Sequence, residues 1–97
     1  MIHAVNRALA ADRKRRVDEE TVTEWRLLYE SLTVRERDVL ALVVRGQLNK
    51  QVAGELRISE ITVKVHRGRV MRKMEATSLA ELVSIAARLG LPTAGKR

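Results

Sequence analysis

NKQVAGELRISEITVKVHRGRVMRKME, Asn49 to Glu75, is the stretch that decides how this chain folds. Val52, Ala53 and Leu56 recur at the spacing of one helical face, and Asn49 stands where an N-cap belongs, so a short helix is predicted from there. The segment RIS, Arg57 to Ser59, interrupts it. Ser59 then caps a second run, Glu60 to Glu75, whose apolar path passes through Val63, His66 or Arg67, Val70 and Met74. A short helix, a turn of about three or four residues and a longer basic helix is the outline of a helix-turn-helix.

Opposite that apolar path the second helix presents Lys64, Val65, Gly68, Arg69 and Arg72. From Ile61 to Met74 there are five Lys or Arg and no acid, so the helix attracts a polyanion. The duplex major groove admits one α-helix, offers guanine acceptors to Arg or Lys and offers thymine methyls to apolar side chains. Val65 is therefore a candidate thymine contact, and Lys64 or Arg69 a candidate guanine or phosphate contact. Glycine costs about 1 kcal/mol against alanine inside a helix. Gly68 therefore marks a close approach of DNA, a contact with a neighbouring helix, or a merely tolerated residue. Helix starts favour anions, which nominates Asn49, Lys50, Ser59 and Thr62 as phosphate contacts, with simple capping as the other role of Asn49 and Ser59. His66 reads as a packed or hydrogen-bonded residue, with a phosphate contact as the alternative.

Outward from this unit, Thr33 followed by Glu36 is a capping-box pattern, Val39, Leu40, Val43 and Val44 form an apolar stripe, and Gly46 ends that helix. Ser78 with Glu81 repeats the box ahead of Leu79, Leu82, Val83, Ala86 and Leu89, and Gly90 and Pro92 close the run. The tail TAGKR is expected to fray. On the N-terminal side Ile2, Val5 and Leu9, and later Val22, Trp25, Leu28 and Tyr29, have helical spacing. Between them the pairs Lys14 with Asp18, Arg15 with Glu19 and Arg16 with Glu20 support helix at a few tenths of a kcal/mol each. Such a polar middle suits a connector, and RKRR reads as a solvated face ahead of a direct DNA or partner contact. No strand candidate shows clear alternation, and no internal repeat is present.

The totals agree. The 97 residues suit one small domain, 45% hydrophobic and 2% aromatic, with a core of Leu, Val, Ile and Ala. A net charge of +7 is the footprint of a nucleic-acid or anionic-membrane partner. With no cysteine and two distant histidines, His3 and His66, no metal site is expected, and no cofactor either. No nucleophile-base pair or phosphate-cradling glycine loop points to an enzyme. No apolar run approaches the roughly 20 residues that span a bilayer, and the N-terminus lacks the order of a signal peptide. A soluble, cytoplasmic protein is expected.

The segment Leu32 to Ala86, with its blocks LTVRERDVL, GQLNKQVAGEL, TVKVHR and SLAELV, resembles the four-helix DNA-binding domain of the LuxR/FixJ family of bacterial transcription regulators. The resemblance implies an all-α fold, a four-helix LuxR-type helix-turn-helix domain over 31–91, preceded by a helical linker over 1–30 and followed by a flexible tail over 92–97. It makes Glu60 to Glu75 the recognition helix. By this likeness Lys64 and Val65, with Gly68 and Arg69, face the bases, and Asn49, Lys50, Ser59, Thr62, His66, Arg67 and Arg72 face the backbone. Gly68 stands where some members carry a basic base-contacting residue. Leu79, Leu82, Val83 and Ala86 match the helix through which relatives dimerise on double-stranded DNA, and RNA polymerase is an implied partner. IHAVNRALAADRKRR is similar to the last helix of a response-regulator receiver entering its linker. The acidic phosphoacceptor cluster does not occur, which implies a truncated regulator or an orphan effector, controlled in the intact protein by phosphorylation of the receiver. Two rivals remain: the promoter-reading domain of a sigma factor, and a helical interaction or dimerisation module.

Overall fold

The computed structural model describes residues 19–93. The expectations placed on Ile2, Val5 and Leu9, on the charge pairs of Lys14, Arg15 and Arg16, and on residues 94–97 fall outside them. Five helices follow one another without a strand among the described residues: α1, helical over 19–30; α2, Val34–Val43; α3, Asn49–Leu56; α4, Glu60–Lys73; and α5, Leu79–Arg88.

Local chemistry sets most of these boundaries. The Thr33 hydroxyl accepts from the Glu36 amide at 3.1 Å and the Glu36 carboxylate accepts from the Thr33 amide at 2.9 Å, so the capping box is complete. Gly46 takes φ +95, the left-handed conformation its missing Cβ permits. Two boundaries and one half of a capping box depart from the sequence reading. Asn49 is the first helical residue of α3 and not its cap. The cap is Leu48, whose amide donates to Gln51 Oε1 at 2.8 Å, because Gln51 lies three residues on and reaches back as the glutamate half of a capping box does. Helix α4 stops at Lys73, since Glu75 turns left-handed at φ +57, and so it is shorter than the expected run to Glu75. At α5 the Ser78 hydroxyl accepts from the Glu81 amide, but Glu81 reaches past the cap to Thr77, accepting from its amide at 2.7 Å and its hydroxyl at 2.8 Å.

Two apolar clusters form the core. Val39, Leu42, Val43, Val52, Ala53 and Val63 pack α2, α3 and the start of α4 together. Leu40, Val44, Val70, Met74, Leu82, Ile85 and Leu89 pack α2, the end of α4 and α5. Helices α2 and α4 thus run past both clusters, which is why Leu42 is buried beside the expected stripe of α2. Val22, Trp25, Leu28 and Tyr29 of α1 lie half-buried against the second cluster. Arg88 stacks over Trp25 and Arg37 over Tyr29, at 5.9 and 5.1 Å from the ring centroids, and Arg37 also donates to the Glu30 carbonyl at 2.9 Å. Among the described residues no helix is long and apolar enough to cross a membrane.

One polar pair closes the edge of this packing, with the carboxylate buried and the Lys73 side chain 37% exposed. Glu36 is only 2% exposed, and Lys73, in the last turn of α4, donates to its Oε1 at 2.9 Å. The carboxylate that caps α2 therefore also holds the far end of α4.

Candidate nucleic-acid interface

The turn into α4 is built by Arg57, which caps α3 in the left-handed conformation at φ +60, and by Ser59, whose hydroxyl accepts from the Thr62 amide at 3.1 Å. The hydroxyls of Ser59 and Thr62 also meet at 2.9 Å. Both are therefore engaged in shaping the start of α4, and capping is the role the geometry gives Ser59. From this fixed start the apolar path buries Val63, Val70 and Met74 as the spacing predicts, with His66 and Arg67 half-buried between them. Lys64, Val65, Gly68, Arg69 and Arg72 all face outward, and Val65 is 46% exposed. Among the described residues Lys64, Arg69 and Arg72 make no salt bridge, so their charge is available to a ligand.

The start of α3 adds a second surface. Its first-turn amides have no side-chain acceptor, which leaves them open to an anion, and Lys50 is exposed beside them. Asn49 is half-buried and its Oδ1 accepts from Arg67 Nη1 at 2.9 Å. The structure thus brings Asn49 and Arg67 together, where the sequence reading set them side by side as separate backbone contacts. His66 has its Nδ1 buried without a hydrogen-bond partner among the described residues.

Gly68 is settled in part. A Cβ built there meets no atom within 4 Å, so no neighbouring helix requires the glycine. Gly68→Ala is expected to stabilise the free chain by about 0.5–1 kcal/mol, as alanine does in a helix interior, while weakening duplex binding. Thermal melts and binding isotherms on the same variant check both signs; unchanged or tighter binding would remove the close approach.

The residues assigned to dimerisation divide. Leu82 and Ala86 are 0% and 1% exposed inside the chain's own core, so they are not surface residues. Leu79, 40% exposed, and the half-buried Val83 are the two that reach outward. The apolar spacing of α5 marks both groups alike and does not say which face meets a partner.

Residues 30–86 match the family described as bacterial regulatory proteins, luxR family. The chain belongs to that family. Its four helices from α2 to α5 are the LuxR-type helix-turn-helix domain, and it is a DNA-binding domain of transcription regulation. It is 48% identical over 91 residues to nodulation protein W of Bradyrhizobium diazoefficiens, covering 94% of this chain and 40% of that protein. It is 47% identical over 89 residues to response regulator protein TodT of Pseudomonas putida, covering 92% of this chain and 39% of that one. The solved structure of response regulator StyR superposes with a TM-score of 0.74 at 45% identity, covering 90% of this chain and 44% of that one. The chain thus spans about 40% of the length of the curated relatives it matches.

Proposed function

We propose that this chain is the sequence-reading effector part of a FixJ-type response regulator and binds duplex DNA by laying α4 in the major groove. The observation that carries this reading is the outward face of α4, where Lys64, Arg69 and Arg72 surround the exposed Val65 without a salt bridge among the described residues. Lys64, Val65 and Arg69 read base edges there, beside the open backbone of Gly68. Asn49, Lys50, Thr62, His66 and Arg72 would face the sugar-phosphate backbone, with Ser59 able to do so while it caps α4, and the open amides of α3 support the Asn49 and Lys50 end of that placement.

Two copies, meeting through Leu79 and Val83, would set their α4 helices about 34 Å apart on pseudo-palindromic half-sites. In the intact cytoplasmic regulator a receiver domain would control access to this surface by phosphorylation, and the bound dimer would engage RNA polymerase. The response-regulator names of its relatives support the receiver as a partner.

Selecting bound sequences from a random duplex pool gives the operator and tests the reading. On that operator Lys64→Ala is expected to weaken binding, and Val65→Ala to relax preference at a thymine, by roughly 1–3 kcal/mol for a good contact. The logarithm of affinity should fall with log salt by about 0.9 per neutralised phosphate. Unchanged site preference in both variants would sink the recognition-helix assignment, and a flat salt response would point to a protein partner.

A further inference from the structure

Asn49 and Arg67 each have the chemistry of a phosphate contact, yet the structure spends one on the other. Arg67, in the middle of α4, donates from Nη1 to Asn49 Oδ1 at the first turn of α3. Arginine carries only donors, so the atom that meets it must be the carboxamide oxygen. The Nδ2 amide is thereby turned the other way. The buried side-chain atoms without a partner among the described residues are Arg37 Nε, Gln47 Oε1 and His66 Nδ1. Asn49 Nδ2 is not one of them and has no hydrogen bond among the described residues, so that nitrogen is not fully enclosed and its donors are unused. They sit beside Lys50 and the uncapped amides of α3.

A free asparagine presents its oxygen or its nitrogen outward with little preference, and an outward oxygen would repel a phosphate. The Arg67 bond removes that choice. It also joins the start of α3 to the middle of α4, so the donor is placed relative to the helix that reads the bases.

We propose that Arg67 is a positioning residue, holding the Asn49 carboxamide with Nδ2 outward as a donor to a DNA phosphate oxygen and taking no phosphate itself. The proposal rests on the duplex-binding reading above, which it refines.

The test uses the full chain and a duplex it has selected from a random pool. Asn49→Ala and Arg67→Ala are each expected to weaken binding roughly tenfold, the scale of one hydrogen bond to a charged group. Neither should lower the log-log salt slope by the roughly 0.9 that a cation on a phosphate contributes, because Asn49 is neutral and Arg67 meets no phosphate, and the double variant should be no worse than either single one. Asn49→Asp keeps the acceptor for Arg67 but turns an oxygen toward the phosphate, so it is expected to bind more weakly than Asn49→Ala while melting no lower. Arg67→Lys, which keeps a donor, should recover part of the loss and covers the case in which Arg67→Ala does not fold.

Additive losses, with the slope falling by about 0.9 whenever Arg67 is replaced by alanine, would make Arg67 a phosphate contact in its own right and overturn the proposal alone. So would wild-type binding by Asn49→Asp. A wild-type chain that selects no duplex would overturn the duplex-binding reading and this proposal with it.

Discussion

Lys73→Met is expected to destabilise the chain by about 2–3 kcal/mol, the cost of leaving a buried carboxylate without its cation. Glu36 is 2% exposed and accepts from Lys73 Nζ and from the Thr33 amide, both at 2.9 Å. Methionine preserves the apolar stem of Lys73 and removes only the charge, so the loss reports the pair and not the packing. The Lys73 hydrogen bond first, and then the Thr33 amide, hold the Glu36 carboxyl below its ordinary value of 4.5, against the opposing effect of burial. A carboxyl depressed in the folded state contributes stability that is fully present above about 4.5 and is lost as pH falls through the folded value. Denaturant unfolding at neutral and acid pH checks this. The stability gap between the wild type and Glu36→Gln should narrow as the solution is acidified below the carboxylate range. A constant gap would show that Glu36 acts only as a neutral cap.

Leu82→Ala should cost about 3 kcal/mol, within the 2–5 kcal/mol typical of a large apolar residue deleted from a packed core. In a domain of this size that lowers the melting temperature by about 10–20 °C. Leu82 has no exposed surface and packs in the cluster that joins α2, α4 and α5. Leu79, one position from the N-cap of α5 and 40% exposed, should behave in the opposite way. Leu79→Glu is expected to leave stability within about 0.5 kcal/mol, as surface changes do, while weakening self-association on DNA. Melting curves alongside sedimentation of the DNA complex separate the two. A Leu82→Ala chain that melts like the wild type would place that residue outside the core. A Leu79→Glu chain that still pairs on DNA would move the dimer contact elsewhere.

The features legible in the sequence were those whose partners lie within one helical turn. Thr33 with Glu36, Ser59 as the cap of α4, and the path Val63, Val70, Met74 follow from residue type and from spacings of three and four, and the structure reproduces each. Residues whose partners are distant were not legible. Glu36 and Lys73 are 37 positions apart, and Asn49 and Arg67 are 18 apart; neither pair has a periodic signature. Nothing in residue type told Leu82 from Leu79, since both fit one apolar spacing while only one lies in the core. The start of α3 was misplaced because asparagine outranks leucine as a cap, although Gln51, three residues after Leu48, was the available signal. The left-handed Glu75 carried no glycine to announce it.

Helix α4 carries two interleaved sets of residues whose mutational fates differ. Val63, Val70, Lys73 and Met74 hold the helix in place and tolerate little change. Lys64, Val65, Arg69 and Arg72 are exposed, and the three cations among them make no salt bridge among the described residues. Site preference and folding are therefore nearly independent variables in this protein. A lineage, or an engineer, can rewrite the outer set and move the domain to a new operator while the scaffold that presents it stays as it is.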